Sequence, residues 1–208
     1  MPKKINGIVG AVLAGGLSRR MNKQNKSFIP LNGKPLIDYV IDTLSQQCDT
    51  IVINSNENDS RLASYNHPVV KDSLKGYLGP LAGILAVMEW TEQHLPDCKW
   101  IVTAPVDTPF LPEDLVSTLY QSCQKSQSAL ACACSNGRTH PVIGLWPVNL
   151  FGELRHALVN EDLRKIDLWT SRYSIAHPNF AYDVIDPFFN INCDKDLLEA
   201  ESLLSSDG

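Results

Sequence analysis

The stretch AVLAGGLSRRMNKQNKSF, residues 11–28, ends an apolar run on Gly15 and Gly16 and then sets Arg19, Arg20, Lys23 and Lys26 among few large apolar side chains. Glycines at the end of a buried strand let backbone N–H groups approach a ligand with no Cβ in the way, as main chain does when it grips phosphates and purine edges. Guanidinium matches the geometry of phosphate oxygens, and lysine supplies a point charge. Bare backbone beside clustered cations therefore points to a cradle for a nucleotide's phosphates; a plain strand-to-loop turn and a solvated basic loop are the alternatives. Two familiar phosphate signatures are missing. Gly10 and Gly15 have the G-x-x-x-x-G spacing, but Gly16 and Leu17 stand where a P-loop needs lysine and Ser/Thr, and no G-x-G-x-x-G occurs.

A carboxylate stands at another expected strand end. Asp107 closes WIVTAPVDTP, residues 100–109, and crevices outside the carboxyl ends of parallel strands are where α/β sheets bind ligands. Mg²⁺ takes one or two protein carboxylates and completes its octahedron with water and phosphate oxygens, so Asp107 alone is enough to hold one. The other reading of Asp107 is a cap for the helix beginning PEDLV, residues 112–116. Asp72 is a further loop carboxylate, either a ligand-binding group or one without a partner. His67, His94, His156 and His177 stand singly in helical or loop contexts, which suits structural or surface groups; His140, just before a strand, is open to either use. Cys132 and Cys134 fall on one face of a strand, where buried reduced thiols or a metal or redox pair are the alternatives.

The elements that must position these groups alternate along the chain. Residues 8–14, 50–56, 67–72 and 100–109 have the apolar runs of strands; 35–47, 80–93 and 112–125 have helical periodicity. Residues 128–135 and 140–148 read as a strand pair joined by NGRT, 150–169 as a helix, 188–192 as a last strand, and 194–204 as a helix capped by Asp194. This predicts an α/β fold: a mostly parallel sheet flanked by helices, formed by one domain over residues 1–208. The chain has 208 residues, is 44% apolar and carries a formal charge of −5, which argues against a surface built for nucleic acid or anionic lipid. No run of ~18 apolar residues occurs, and the basic start reaches glycines before a signal-peptide core is complete, so a soluble, cytoplasmic protein is expected.

The run VLAGGLSRRMNKQNKSFIPLNGKPL resembles the Leu-Ala-Gly-Gly-x-Ser-x-Arg-Met signature of nucleotidyltransferases, which a lysine follows closely. NSN, KDSLKGYLGPLAGI, PVDTPFLP, HPVIGLW and NINCDKDL then follow in the order seen in molybdenum cofactor guanylyltransferases, so the resemblance covers nearly the whole chain. It implies a doubly wound, nucleotide-diphospho-sugar transferase-like α/β sheet with helices on both faces and GTP at the carboxyl ends of the strands. Leu13, Ala14, Gly15 and Gly16 would hold the nucleotide, Lys26 its phosphate, and Asn54 and Asp72 the guanine and ribose. Mg²⁺ falls to Asp107, and catalysis to Arg20, Lys26 and Asp107. Asn190 and Asn192 match a position near the pterin end, where more distant sugar nucleotidyltransferases carry a metal-binding acid, and Gly79, Pro80 and Gly83 match the guanylyl branch. Asn25 departs from the Asp that relatives commonly carry before the lysine, a change expected to loosen the loop without removing a ligand.

The implied reaction transfers GMP from GTP to molybdenum-molybdopterin and releases pyrophosphate. A phosphomonoester, with a second pKa of about 6, is already charged at neutral pH, so no general base is required, and no base dyad is evident. Transient contact with proteins that deliver or accept the cofactor is implied, and contact with nucleic acid or membrane is not. Alternatives are a molybdopterin cytidylyltransferase, a sugar-phosphate nucleotidyltransferase, an inactive nucleotide-binding regulatory module, and a nicotinamide dehydrogenase domain, the last disfavoured by the missing fingerprint. Lys34, Arg138 and Arg155 are scattered basic candidates for the pterin pocket.

Overall fold

In the computed structural model, which describes residues 4–15, 25–76 and 78–206, strand β1, Ile8–Leu13, is buried along its whole length. It pairs in parallel with both β4, Thr50–Asn54, and β6, Trp100–Pro105. Its side chains alternate between two cores, Ile8 and Val12 in one, Val9, Ala11 and Leu13 in the other. A strand covered on both faces has no polar side, so its sequence is a continuous apolar run.

Among the described residues the sheet has seven strands, in the order β5 (Val69–Val70), β4, β1, β6, β8 (Arg138–Pro147), β7 (Leu130–Ser135) and β9 (Ile175–Ala176). Only β8 runs against its neighbours β6 and β7; the other pairings are parallel. Helices α1, Leu36–Ser45, and α3, Leu115–Ser126, fill one face, while α2, Pro80–His94, α4, Phe151–Asn160, and α5, Ile166–Thr170, fill the other. Helix α2 buries every residue from Leu81 to Met88, as a helix enclosed by a sheet and other helices must. A short hairpin of β2, Pro30–Leu31, and β3, Lys34–Pro35, meets the final helix α6, Asp194–Ser206, in a separate small core of Ile29, Leu31, Leu36, Ile191 and Ala200. That core brings the segment before α6 toward Lys26, whose Nζ donates to Asn192 Oδ1.

The expected α/β sheet with helices on both faces is present, and the β7–β8 hairpin turns at Asn136 and Gly137, both with positive φ. Three expectations about elements need correction. The helix expected over 150–169 is two helices, interrupted at Asp162 with φ 53°. Residues 188–192 form no strand: the Ile191 amide donates to the Asp107 carbonyl (2.9 Å) and the Phe188 amide to Asp186 Oδ1 (2.9 Å), so these donors serve the site rather than a ladder. Strand β9, only two residues long, was not expected. Asp194 lies inside α6, and Asp196 Oδ2 accepts from the amides of Asn192 (2.7 Å) and Cys193 (3.0 Å), the reach-back that satisfies free N–H groups at a helix start. Among the described residues no helix is long and apolar enough to cross a membrane.

Candidate active site

A cleft of about 1230 Å³ crosses the carboxyl ends of the parallel strands. Leu13 and Gly15 line one end of it, with Asn54, Asp72, Gly79 and Gly83. Ala14 is buried behind them, its amide donating to the Asn54 carbonyl at 2.8 Å, so any part it takes in binding is through backbone. Gly16 and Arg20, with Arg19 and Lys23, lie outside the described residues.

Asn54, 4% exposed, is held from two sides. Its Nδ2 donates to the Val70 carbonyl (3.2 Å) and to Asp72 Oδ1 (2.9 Å), while Asn56 Nδ2 donates to Asp72 Oδ2 (2.7 Å). Fixing Nδ2 in this way leaves the Asn54 Oδ1 against α2, where a Cβ on Gly83 would meet it at 2.3 Å. Only glycine allows this approach. Helix α2 starts from Gly79, whose φ of +70° turns the chain into Pro80 at the first helical position.

Asp107 sits in the middle of the cleft, two residues beyond β6. Its Oδ2 receives Lys26 Nζ at 2.6 Å, and Lys26 also donates to Asn192 Oδ1 at 3.0 Å. Asp107 Oδ1 is buried and has no hydrogen-bond partner among the described residues. Buried polar atoms are seldom left unpaired, which makes this oxygen a fit for a cation or a donor brought by a ligand. It does not cap α3, whose N-cap position is Asp114. No group of three or more His, Cys, Asp or Glu suited to a metal occurs among the described residues. For Mg²⁺ held largely by phosphate oxygens, one carboxylate suffices.

Lys26 begins a 3-10 turn, Lys26–Phe28, capped by Asn25, whose Oδ1 accepts from the Ser27 amide at 3.0 Å and whose Nδ2 donates to Asp59 Oδ2 at 3.2 Å. Asp59 is held down to about 2 chiefly by its hydrogen bonds with the Arg61 side chain. Asn25 thus ties the 3-10 turn to Asp59; the loop before it, where loosening is expected, lies outside the described residues. An Asp there would set a second carboxylate against Asp59.

Arg138, His140, Asp186 and Phe188 line the side of β8, and Asn190 and Asn192 line the cleft on either side of Ile191, whose amide bonds the Asp107 carbonyl. Asn190 and Asn192 therefore share a cleft with Asp107, and Asn192 reaches it through Lys26. His140 Nε2 lies 2.8 Å from Ser135 Oγ, which donates to Asp186 Oδ1 (2.9 Å) and Oδ2 (3.1 Å). Burial is the main cause that lowers the His140 pKa, opposed by Asp186 and helped by Arg138. Ser135 and Asp186 were not singled out from the sequence: they are 51 positions apart, and no motif or periodicity links them. The other basic candidates are engaged elsewhere, Lys34 with Asp42 (2.6 Å) and Arg155 with Glu89 (2.7 Å). Cys132 is buried, its thiol pushed up to about 12 by burial, and both it and Cys134 are free.

Fold and site together define a nucleotidyltransferase of the α/β class, with its cleft across the carboxyl ends of the central strands. The family described as MobA-like NTP transferase domain matches residues 10–173. A molybdenum cofactor guanylyltransferase of Rhodopseudomonas palustris (strain HaA2) is 45% identical over 192 residues, 92% of this chain and 90% of the relative. One of Bradyrhizobium sp. (strain ORS 278) is 46% identical over 196 residues, 94% and 92%. The crystal structure of molybdopterin-guanine dinucleotide biosynthesis protein A from Archaeoglobus fulgidus superposes with a TM-score of 0.74 at 26% identity, covering 95% of this chain and 99% of that one. The chain belongs to the molybdenum cofactor guanylyltransferase family.

Proposed function

We propose that this chain, as one domain working in the cytoplasm, transfers GMP from GTP to molybdenum-molybdopterin, forming molybdopterin guanine dinucleotide and releasing pyrophosphate in a Mg²⁺-dependent reaction. The observation that carries the reading is the position of Asp107. It stands between the Asn54–Asp72 network, at the end of β4, and His140, on β8, and its buried Oδ1 lacks a partner among the described residues. Two substrates entering from opposite ends would meet there.

Gly15 and Gly16 would present backbone N–H groups to the triphosphate, and Arg20 and Lys26 would offset its charge. Asn54 Oδ1 and the Asp72 carboxylate are acceptors, which suits the N1–H and N2–H donors of guanine and leaves adenine's N1 without a donor. Asp107 would hold Mg²⁺, which when bound supplies charge neutralisation at the phosphate oxygens. An oxygen of the cofactor's terminal phosphate forms a bond to the α-phosphorus of GTP as the bond to the α–β bridging oxygen breaks, and pyrophosphate leaves with that electron pair. No side chain has to remove a proton from a phosphate that is already ionised.

The test is pyrophosphate release. Release that requires GTP, molybdopterin and Mg²⁺ together supports the reading, and a chain that binds GTP but never releases pyrophosphate is a binding module instead.

A further inference from the structure

The chain Asp186–Ser135–His140 stands apart from the phosphate chemistry, at the end of the cleft away from Asn54. Ser135 is fully buried, and its single hydroxyl hydrogen is directed at the Asp186 carboxylate, whose two oxygens accept it. With that hydrogen committed, the contact between Ser135 Oγ and His140 at 2.8 Å requires the hydrogen to lie on Nε2. Asp186 is itself fixed, since its Oδ1 also accepts from the Phe188 amide at 2.9 Å. The imidazole packs against the Phe188 ring at 4.8 Å, and Phe188 meets Phe180 edge-on at 5.2 Å, so both ring position and tautomer are set. Nδ1 is the nitrogen left over, with no hydrogen-bond partner among the described residues, in a side chain that lines the cleft.

We propose that His140 Nδ1 accepts a hydrogen bond from an N–H of the second substrate's heterocycle, and that Ser135 and Asp186 are the positioning residues that hold the imidazole for it. This rests on the reading in which molybdopterin enters the far end of the cleft. The pterin ring system carries ring N–H and exocyclic amino donors, which match an acceptor fixed in this way. Burial, which lowers the His140 pKa, favours the neutral ring and so keeps the Nδ1 lone pair available. A contact that served only to tie β8 to the segment before α6 would need Nε2 and would have no use for Nδ1.

Two substitutions separate the roles. Glutamine places its amide near Nε2 and can keep the bond to Ser135; asparagine places its amide oxygen near Nδ1 and cannot. His140→Gln is expected to melt near the parent temperature and to bind GTP unchanged, yet to raise the molybdopterin KM about tenfold or more, the loss of one buried hydrogen bond. His140→Asn is expected to keep that KM within about threefold of the parent while melting lower. The nitrogen NMR spectrum of the parent should show the Nε2–H tautomer, with the Nδ1 signal shifting on addition of molybdopterin without GTP. An Nδ1–H tautomer, an Nδ1 signal that ignores molybdopterin, or a KM restored by glutamine and not by asparagine would overturn the proposal. If molybdopterin shifts Nδ1 but no pyrophosphate is released, the inference stands and the proposed reaction fails; if turnover proceeds with Nδ1 unmoved, the reverse holds.

Discussion

Lys26 Nζ lies 2.6 Å from Asp107 Oδ2, across 81 positions of sequence. Their side chains are 19% and 18% exposed, so the pair is largely shielded from water, and the second bond from Lys26 to Asn192 Oδ1 fastens the segment before α6 to the same ammonium. A cation and an anion that both suit phosphate transfer thus neutralise each other at the centre of the cleft. In the proposed reaction Lys26 would turn to the oxygens of an entering polyphosphate and leave Asp107 free for the proposed metal.

Lys26→Ala should therefore lower both activity and stability. A lysine on an open loop would change stability by no more than about 0.5 kcal/mol. This one leaves a mostly buried carboxylate without its partner, so a loss of about 1–3 kcal/mol is expected, with turnover reduced by roughly 10²-fold or more. Urea unfolding alongside pyrophosphate release measures the two effects, and unchanged turnover would remove Lys26 from the phosphate site.

Asp107→Asn keeps the shape and can still accept from Lys26 through Oδ1. Stability should fall by about 1–3 kcal/mol, since Lys26 loses its carboxylate and an amide NH2 takes the place of an oxygen with no partner among the described residues, while Mg²⁺-dependent pyrophosphate release falls by roughly 10²-fold or more and GTP affinity changes little, because backbone and cations still hold the phosphates. Calorimetric GTP binding compared with turnover checks this. Near-parent, Mg²⁺-dependent turnover would show that another carboxylate holds the metal.

Gly83→Ala tests the nucleotide end without touching a charge. The new methyl would fall 2.3 Å from Asn54 Oδ1 and 3.0 Å from its Cγ, and Asn54 is tied to Val70 and Asp72, so helix or side chain must move. A stability loss of about 1–3 kcal/mol is expected from overpacking. GTP affinity should fall about tenfold or more as the Asn54 acceptor is displaced. An alanine variant that binds GTP like the parent would separate Asn54 from base recognition.

Asn25→Asp replaces the hydrogen bond from Asn25 Nδ2 to Asp59 by a pair of like charges. Asp59's depressed pKa, about 2 in the fold against an ordinary value near 4, means its contribution is present above pH ~4 and is lost as pH falls through about 2. In the variant the added repulsion lowers stability at pH 7, and the deficit should shrink below pH ~4.5 as the new carboxyl is protonated. Unfolding free energies of parent and variant at pH 7 and pH 4 read this directly; a deficit that grows on acidification would contradict it.

Much of this architecture was legible in the sequence because its signals are local. The apolar run into Gly15, the Gly79–Pro80 helix start and the Asn136–Gly137 turn each depend on neighbouring residues. Groups that depend on distant partners were not legible. Residues 188–192 look like a strand by composition, but the Ile191 amide goes to Asp107, and nothing nearby in sequence announces that. Ser135 and Asp186 acquire meaning only when β7 and the segment before α6 meet around His140. Asn25 likewise acquires its role only from Asp59, 34 positions away.

The most direct test of the central claim is to give the purified protein molybdopterin, Mg²⁺ and equimolar GTP, CTP, ATP and UTP, and to weigh the dinucleotide that forms while measuring pyrophosphate. Discrimination of roughly 1–3 kcal/mol for each base group left unpaired predicts a product dominated by the guanine dinucleotide, with pyrophosphate released in equal amount. A mixture reflecting all four bases, a cytosine dinucleotide as the main product, or no dinucleotide at all would contradict it.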